Sequence, residues 1–194
     1  MKMPPLETSR LFIRPFVRDD LHAIHQILDI ELEPEYSRTS LDERAQWLQW
    51  SVLNYEALAK LYQPPYGDRA VVLKSTKQLI GACGFVPCLM PFEQLPAFSQ
   101  PSARPGLAST EFGLYYAISP THQRQGYATE AARALIEYAF GELHLKRVAA
   151  TTSYENVASM GVMRKLGMTI EKNPHSDPPW LQVVGVIVSP QSEV

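Results

Sequence analysis

Residues 111–130 read EFGLYYAISPTHQRQGYATE: an apolar strand pattern over 111–118, a short turn, and a glycine-containing entry into a helix. The helix is marked by Ala128, Ala131, Ala132, Leu135, Ile136, Ala139 and Leu143, which share one face at i, i+3, i+4 and i+7 spacing, while Glu130, Arg133 and Glu137 fall opposite. At a helix start the first backbone N–H groups have no intrahelical partner, and the helix dipole is positive there. Gln123, Arg124, Gln125, Gly126, Tyr127 and Ala128 therefore present several donors to an anion such as a phosphate, and the small residues Gly126 and Ala128 leave it room. Read alone, Gly126 requires no more than a tight strand-to-helix turn. The junction has neither the GxxxxGK[ST] of a P-loop nor the GxGxxG of a dinucleotide fold.

Outward from this junction, residues 10–16 alternate as a strand, Asp19 or Asp20 caps a helix whose Leu21, Ile24, Ile27 and Leu28 share a face, and residues 42–60 read as a second helix. Residues 70–74 and 79–86 form a hairpin pattern across 75–78. Downstream come a strand at 147–152, Asn156 as a helix N-cap, a helix through Leu166 stopped by Gly167, and strands near 168–172 and 181–188. Strands lead and helices enter between them, so the expected fold is an α/β (α+β) sheet of mixed direction.

Length and composition agree with one compact domain over 1–194: 194 residues, 45% hydrophobic and 20% charged, can bury a sizeable core. A formal net charge of −2 argues against a nucleic-acid surface of the usual basic kind. Cys83 and Cys88 match no zinc spacing and read as reduced thiols, and no metal is expected. Neither a leader-type apolar segment nor a run of membrane-spanning length is present, so the expected location is cytoplasmic.

Three motifs then carry a family resemblance. Gln123-Arg124-Gln125-Gly126-Tyr127-Ala128 resembles the [QR]-x-x-G-x-[GA] acetyl-CoA motif of the GNAT N-acetyltransferase superfamily. Asn156-x-x-Ser159 with Arg164-Lys165-Leu166-Gly167-Met168 resembles the N-x-x-S…K-L-G-[FM] signature of its RimJ/RimL-type branch, and Glu7-Thr8-Ser9-Arg10-Leu11-Phe12-Ile13-Arg14 is similar to that branch's E-T-x-R-L-x-L-R opening. The resemblance implies a mostly antiparallel sheet in which the strands at 111–118 and 147–152 splay apart to admit the pantetheine arm. It also implies acetyl-CoA as cosubstrate, bound by the backbone of the 111–118 strand through Ile118, by residues 123–128, and by Thr129, Asn156 and Ser159. The acceptor it implies is a primary amine, on a small molecule or a protein N-terminus.

Acyl transfer to an amine needs a neutral nucleophile, a donor for the oxyanion, and a proton or hydrogen bond for the departing thiolate, but no covalent enzyme intermediate. Many relatives of this type place a tyrosine acid where this chain has Met163. That departure puts Ser159 forward as the hydrogen-bond donor to the leaving sulfur; its bland reading is a helix-surface hydroxyl or cap. Glu111, at the start of the strand beside the cleft, is the candidate base; its bland reading is a solvated strand end. Glu33, Glu35, Tyr36, Trp47 and Trp50 lie in the region that covers the acceptor side in this family and are candidates to attract and enclose a cationic amine. Residues 87–110, PCLMPFEQLPAFSQPSARPGLAST, read as a long inserted loop: either a surface excursion, or a lid or homodimer contact that covers Leu89, Met90, Phe92, Leu95 and Phe98. Two other classes stay open, a non-catalytic acyl-CoA-binding sensor and a nucleotide-binding α/β domain outside this superfamily.

Overall fold

The computed structural model describes residues 3–63, 66–96, 98 and 107–190. Eight strands follow the order β1-β2-β3-β4-β5-β6-β8-β7: β1 (Leu6–Glu7), β2 (Leu11–Pro15), β3 (Gly67–Leu73), β4 (Leu79–Met90), β5 (Ser109–Ile118), β6 (Arg147–Thr152), β7 (Thr169–Lys172) and β8 (Val183–Val188). Among the described residues four α-helices accompany them: α1 (Leu21–His25), α2 (Leu41–Lys60), α3 (Tyr127–Gly141) and α4 (Val157–Lys165). The described pairings are antiparallel except β5 with β6, which run parallel and meet at Gly113↔Ala149. The chain groups into two compact units, Met1–Phe85 with Tyr115–Leu135 and Val86–Leu114 with Ile136–Val194.

In the first unit, β2, β3 and the start of β4 are apolar enough to be covered. Leu11, Ile13, Val71 and Ile80 are fully buried, and Phe16, Ile24, Leu28, Leu48 and Val72 form one cluster. The hairpin expected at 70–86 is present, with Ala70 opposite Ala82. Helix α2 starts with a reciprocal cap, in which Ser40 Oγ accepts the Glu43 N–H while Glu43 accepts the Ser40 N–H. Asp20 occupies the N-cap position of α1 as expected, but its side chain makes no cap hydrogen bond there. It forms a two-pronged ion pair with Arg14 at 2.7 and 2.8 Å and accepts the Val17 N–H at 2.9 Å, so it braces the strand-to-helix turn instead. Helix α1 is continued by a π-helical turn over Gln26–Glu31.

The second unit corrects the reading of residues 87–110. Strand β4 continues to Met90, a 3₁₀ turn follows at Phe92–Gln94, and Phe92, Leu95 and Phe98 are buried among Ala149, Leu181, Val184 and Val186. Phe92 and Phe98 stack at 4.9 Å between centroids. The apolar side chains that composition marked as costly to leave wet are thus covered by their own unit, except Leu89, which is exposed. Residues 97 and 99–106 of that stretch lie outside the described residues. Asn156 caps α4 as expected, and Gly167 ends it at φ +84°.

Candidate active site

In the first unit, β5 ends at Ile118 and the chain turns through Pro120–His122 before α3 begins at Tyr127. Two left-handed residues make that turn, Arg124 at φ +60° and Gly126 at φ +86°. The second puts no Cβ at the entry to a 15-residue helix. Gln123 fixes the turn by donating from Nε2 to the Ile118 carbonyl at 2.9 Å. Ser119 Oγ donates to Glu31 at 2.6 Å, and Thr121 meets His122 Nδ1 at 2.9 Å. Tyr127, Ala128 and Thr129 are half-buried at the head of the helix, while Arg124 and Gln125 are exposed.

Arg10 holds this junction from behind. Its guanidinium donates to Glu130 at 2.6 Å and to the Gln125 carbonyl at 3.0 Å, and it lies 4.3 Å over the Tyr127 ring. Thr8 and Ser9 donate to the same Glu130 carboxylate at 2.5 and 3.1 Å. Burial disfavours the charged Glu130, but hydrogen bonds from Thr8 and Arg10 outweigh it and hold the carboxyl below its ordinary range. The opening motif at 7–14 and the first turn of α3 are therefore one latch. Sequence reasoning gave Arg10 no site role, although the motif containing it was the available signal.

The first unit also encloses a cavity of about 520 Å³, lined by Leu28, Asp29, Leu32, Glu33, Trp47 and Tyr115, with Ser37, Thr39, Arg44, Asp68 and Ala117 completing the wall. Of the five residues expected to enclose an amine, Glu33 and Trp47 line it. Tyr36 and Trp50 are 92% and 56% exposed and Glu35 is exposed. Arg44 covers Trp47 at 4.6 Å and grips Asp29 at 2.6 and 2.7 Å, and His25 adds a third contact to Asp29 at 2.9 Å. Burial opposes the charge on Asp29, but Arg44 and His25 hold its carboxyl below the ordinary value. Asp68 differs, since burial pushes its carboxyl up to about 6 and Arg44 only partly offsets this. Burial also raises the Tyr115 hydroxyl. Asp68 escaped the sequence reading because a single acid entering an apolar strand resembles a solvated strand end.

In the second unit, Asn156 Oδ1 accepts the Ser159 N–H at 2.9 Å, so the cap sets the backbone from which the half-buried Ser159 projects. Met163 is fully buried, its sulfur packed where a side chain on Gly185 would have to go. Glu111 is buried and bound by both Nε and Nη2 of Arg147, the first at 2.8 Å, and Arg147 in turn lies 4.4 Å over Phe98. A carboxylate held by a guanidinium fork is committed to that neighbour. Cys83 and Cys88 are free thiols, burial raising both. Among the described residues there is no group of three metal-ligating side chains, and no helix is long and apolar enough to cross a membrane.

Comparison with known proteins agrees with this geometry. Residues 10–169 match the family described as Acetyltransferase (GNAT) domain. The chain is 30% identical over 170 residues to YnaD, an uncharacterized N-acetyltransferase of Bacillus subtilis strain 168, covering 86% of this chain and 83% of that one. It is 27% identical over 175 residues to the spermidine N(1)-acetyltransferase of Escherichia coli K12, covering 87% and 77%. The crystal structure of an acetyltransferase from Agrobacterium tumefaciens superposes with a TM-score of 0.68 at 24% identity, covering 96% of this chain and 95% of that one.

Proposed function

Starting from the membership of this chain in the GNAT acetyltransferase family, we propose that it moves the acetyl group of acetyl-CoA directly to a primary amine in a ternary complex. The observation that carries this reading is the junction of β5 and α3. Its left-handed Gly126 puts no Cβ at the start of a 15-residue helix, as the close approach of a pyrophosphate requires, and the Arg10 latch fixes the turn. Residues Gln123, Arg124, Gln125, Gly126, Tyr127, Ala128 and Thr129 take the phosphates, and the backbone of β5 up to Ile118 takes the pantetheine. Ser159, set by the Asn156 cap, donates a hydrogen bond to the departing thiolate.

The acceptor enters the 520 Å³ cavity, whose size suits a small molecule or the first residue of a peptide. Its acidic and aromatic lining favours a cation on an apolar stem. The spermidine N(1)-acetyltransferase relative supports the small-amine form of this reading, and the motifs at 7–14 and 156–168 support the RimJ/RimL-type branch. Glu111 leaves the mechanism in this account, because its carboxylate belongs to Arg147. Direct transfer is tested by initial rates at varied acetyl-CoA and amine concentrations. Intersecting reciprocal plots are expected; parallel plots, the mark of an acetyl-enzyme, contradict it.

A further inference from the structure

Three acids line the cavity of the first unit, and two of them are committed. Asp29 is held by Arg44 and His25, and Glu33 accepts the Ser37 hydroxyl at 2.8 Å. Asp68 is the third, and its Oδ1 is shut off from solvent with no hydrogen-bond partner among the described residues. A buried carboxylate oxygen without a donor is costly to maintain, and it is the arrangement that a proton relieves. The residue is nonetheless fixed. Tyr55 donates its hydroxyl to the Asp68 carbonyl while accepting the Phe16 N–H at 3.1 Å. On the neighbouring strand Gly84 stands opposite, where a Cβ would come within 2.7 Å of the Asp68 Cα.

We propose that Asp68 is the general base of the reaction, the catalytic carboxylate that meets the acceptor nitrogen in this cavity; the proposal rests on acetyl transfer to an amine as read above. The acceptor arrives as an ammonium ion, releases one proton to water, and attacks the thioester carbonyl as the neutral amine. As the nitrogen–carbon bond forms, the nitrogen's surplus proton passes to the Asp68 carboxylate. The carbon–sulfur bond breaks, its electron pair leaving on sulfur as the thiolate. No oxidant, metal or enzyme nucleophile enters the balance.

Placement in the cavity gives the base its range. Burial raises the carboxyl to about 6, so it is charged at neutral pH yet a stronger base than an exposed aspartate. The charged and titratable groups around it are Arg44 and Tyr55 from α2, Asp29 and Glu33 from the π-helical turn and the residues after it, Tyr115 from β5, and Cys83 and Arg69 from β4 and β3. Burial raises Tyr55 to about 12 and also raises Tyr115 and Cys83, so none of these three titrates near 6.

The test is the pH profile of kcat/KM for two amines of different basicity, measured on the wild type, Asp68→Asn and Asp68→Glu, with acetyl-CoA affinity measured in parallel by calorimetry. In the wild type the rate should climb through about pH 6 with either amine, whereas the limb belonging to the amine itself should move with its basicity. Asp68→Asn should lose the lower limb and about a hundredfold or more of kcat while keeping its acetyl-CoA affinity. Asp68→Glu should retain a limb. An asparagine variant with wild-type kcat and profile overturns the proposal, and so does a wild type with no limb near 6, whether or not the variants fold. A wild type that acetylates no amine overturns the acetyl-transfer reading, and this one falls with it.

Discussion

The two compact units handle their surplus groups in opposite ways. The second pairs most of what it buries, Glu93 Oε2 and Ser109 Oγ excepted: Phe92, Leu95 and Phe98 are packed into its core, Glu111 is bound to Arg147, and Asn173 Nδ2 donates to both Gln94 and the Leu181 carbonyl. The first leaves things open, with a cavity of about 520 Å³, a carboxylate oxygen with no partner, and a helix start bared by a left-handed glycine. Closed groups contribute to stability; open ones are available to a ligand. The difference teaches that a strand-borne acid is not classified by its place in the strand. Glu111 and Asp68 both sit near strand starts, and what separates them is the partner each has.

The sharpest way to break the contrast is at the open helix start. Gly126→Glu places a negative charge against bound phosphate and forces a side chain into φ +86°, so acetyl-CoA affinity should fall on the order of a thousandfold by calorimetry. Gly126→Ala carries the backbone strain without the charge, about 1–2 kcal/mol, and should lose far less. Equal affinity in folded wild type and glutamate variant would move the phosphates elsewhere.

Ser159 is the exception that refines the comparison, a functional group assigned to the closed unit. Ser159→Ala should lower kcat roughly ten- to a thousandfold with a smaller change in acetyl-CoA affinity. Wild-type single-turnover rates in that variant would leave the thiolate without this donor.

The smallest effect on catalysis is expected at Glu111. Glu111→Gln breaks the fork with Arg147 and should cost about 1–3 kcal/mol in urea unfolding, with kcat unchanged. Asp68→Asn should do the reverse, because a carboxyl raised by burial takes up its proton more readily in the folded state than in the unfolded one. Its stabilising contribution is full below about pH 4 and is lost as pH rises through about 6, so the asparagine variant should be no less stable than wild type at neutral pH. A Glu111→Gln enzyme that is stable but inactive, or an Asp68→Asn enzyme that is active but unstable, would invert the contrast.

The order of strands and helices was legible because periodicity and caps are local: the 70–86 hairpin, Asn156 with Gly167, and the buried face of α3 at Ala131, Ala132, Leu135 and Ile136 all follow from neighbours in sequence. The strand-turn-helix junction between Ile118 and Tyr127 was legible for the same reason. What stayed hidden depends on partners far along the chain. Arg10 reaches Glu130 across 120 positions, and Arg147 claims Glu111 across 36. Proline and serine content made 87–110 read as loop, although Phe92 and Leu95 lie at zero exposure in the core. Nothing in the run GDRAVVL announces that its aspartate faces no donor.

The most direct measurement is mass spectrometry of a panel of primary amines, polyamines and short peptides among them, incubated with the protein and acetyl-CoA at mildly alkaline pH. The expected result is one acetyl group on a primary nitrogen of at least one acceptor, with thiol released in equal amount. Tight acetyl-CoA binding with no acetylated amine, and thiol release no faster than in buffer, would contradict it.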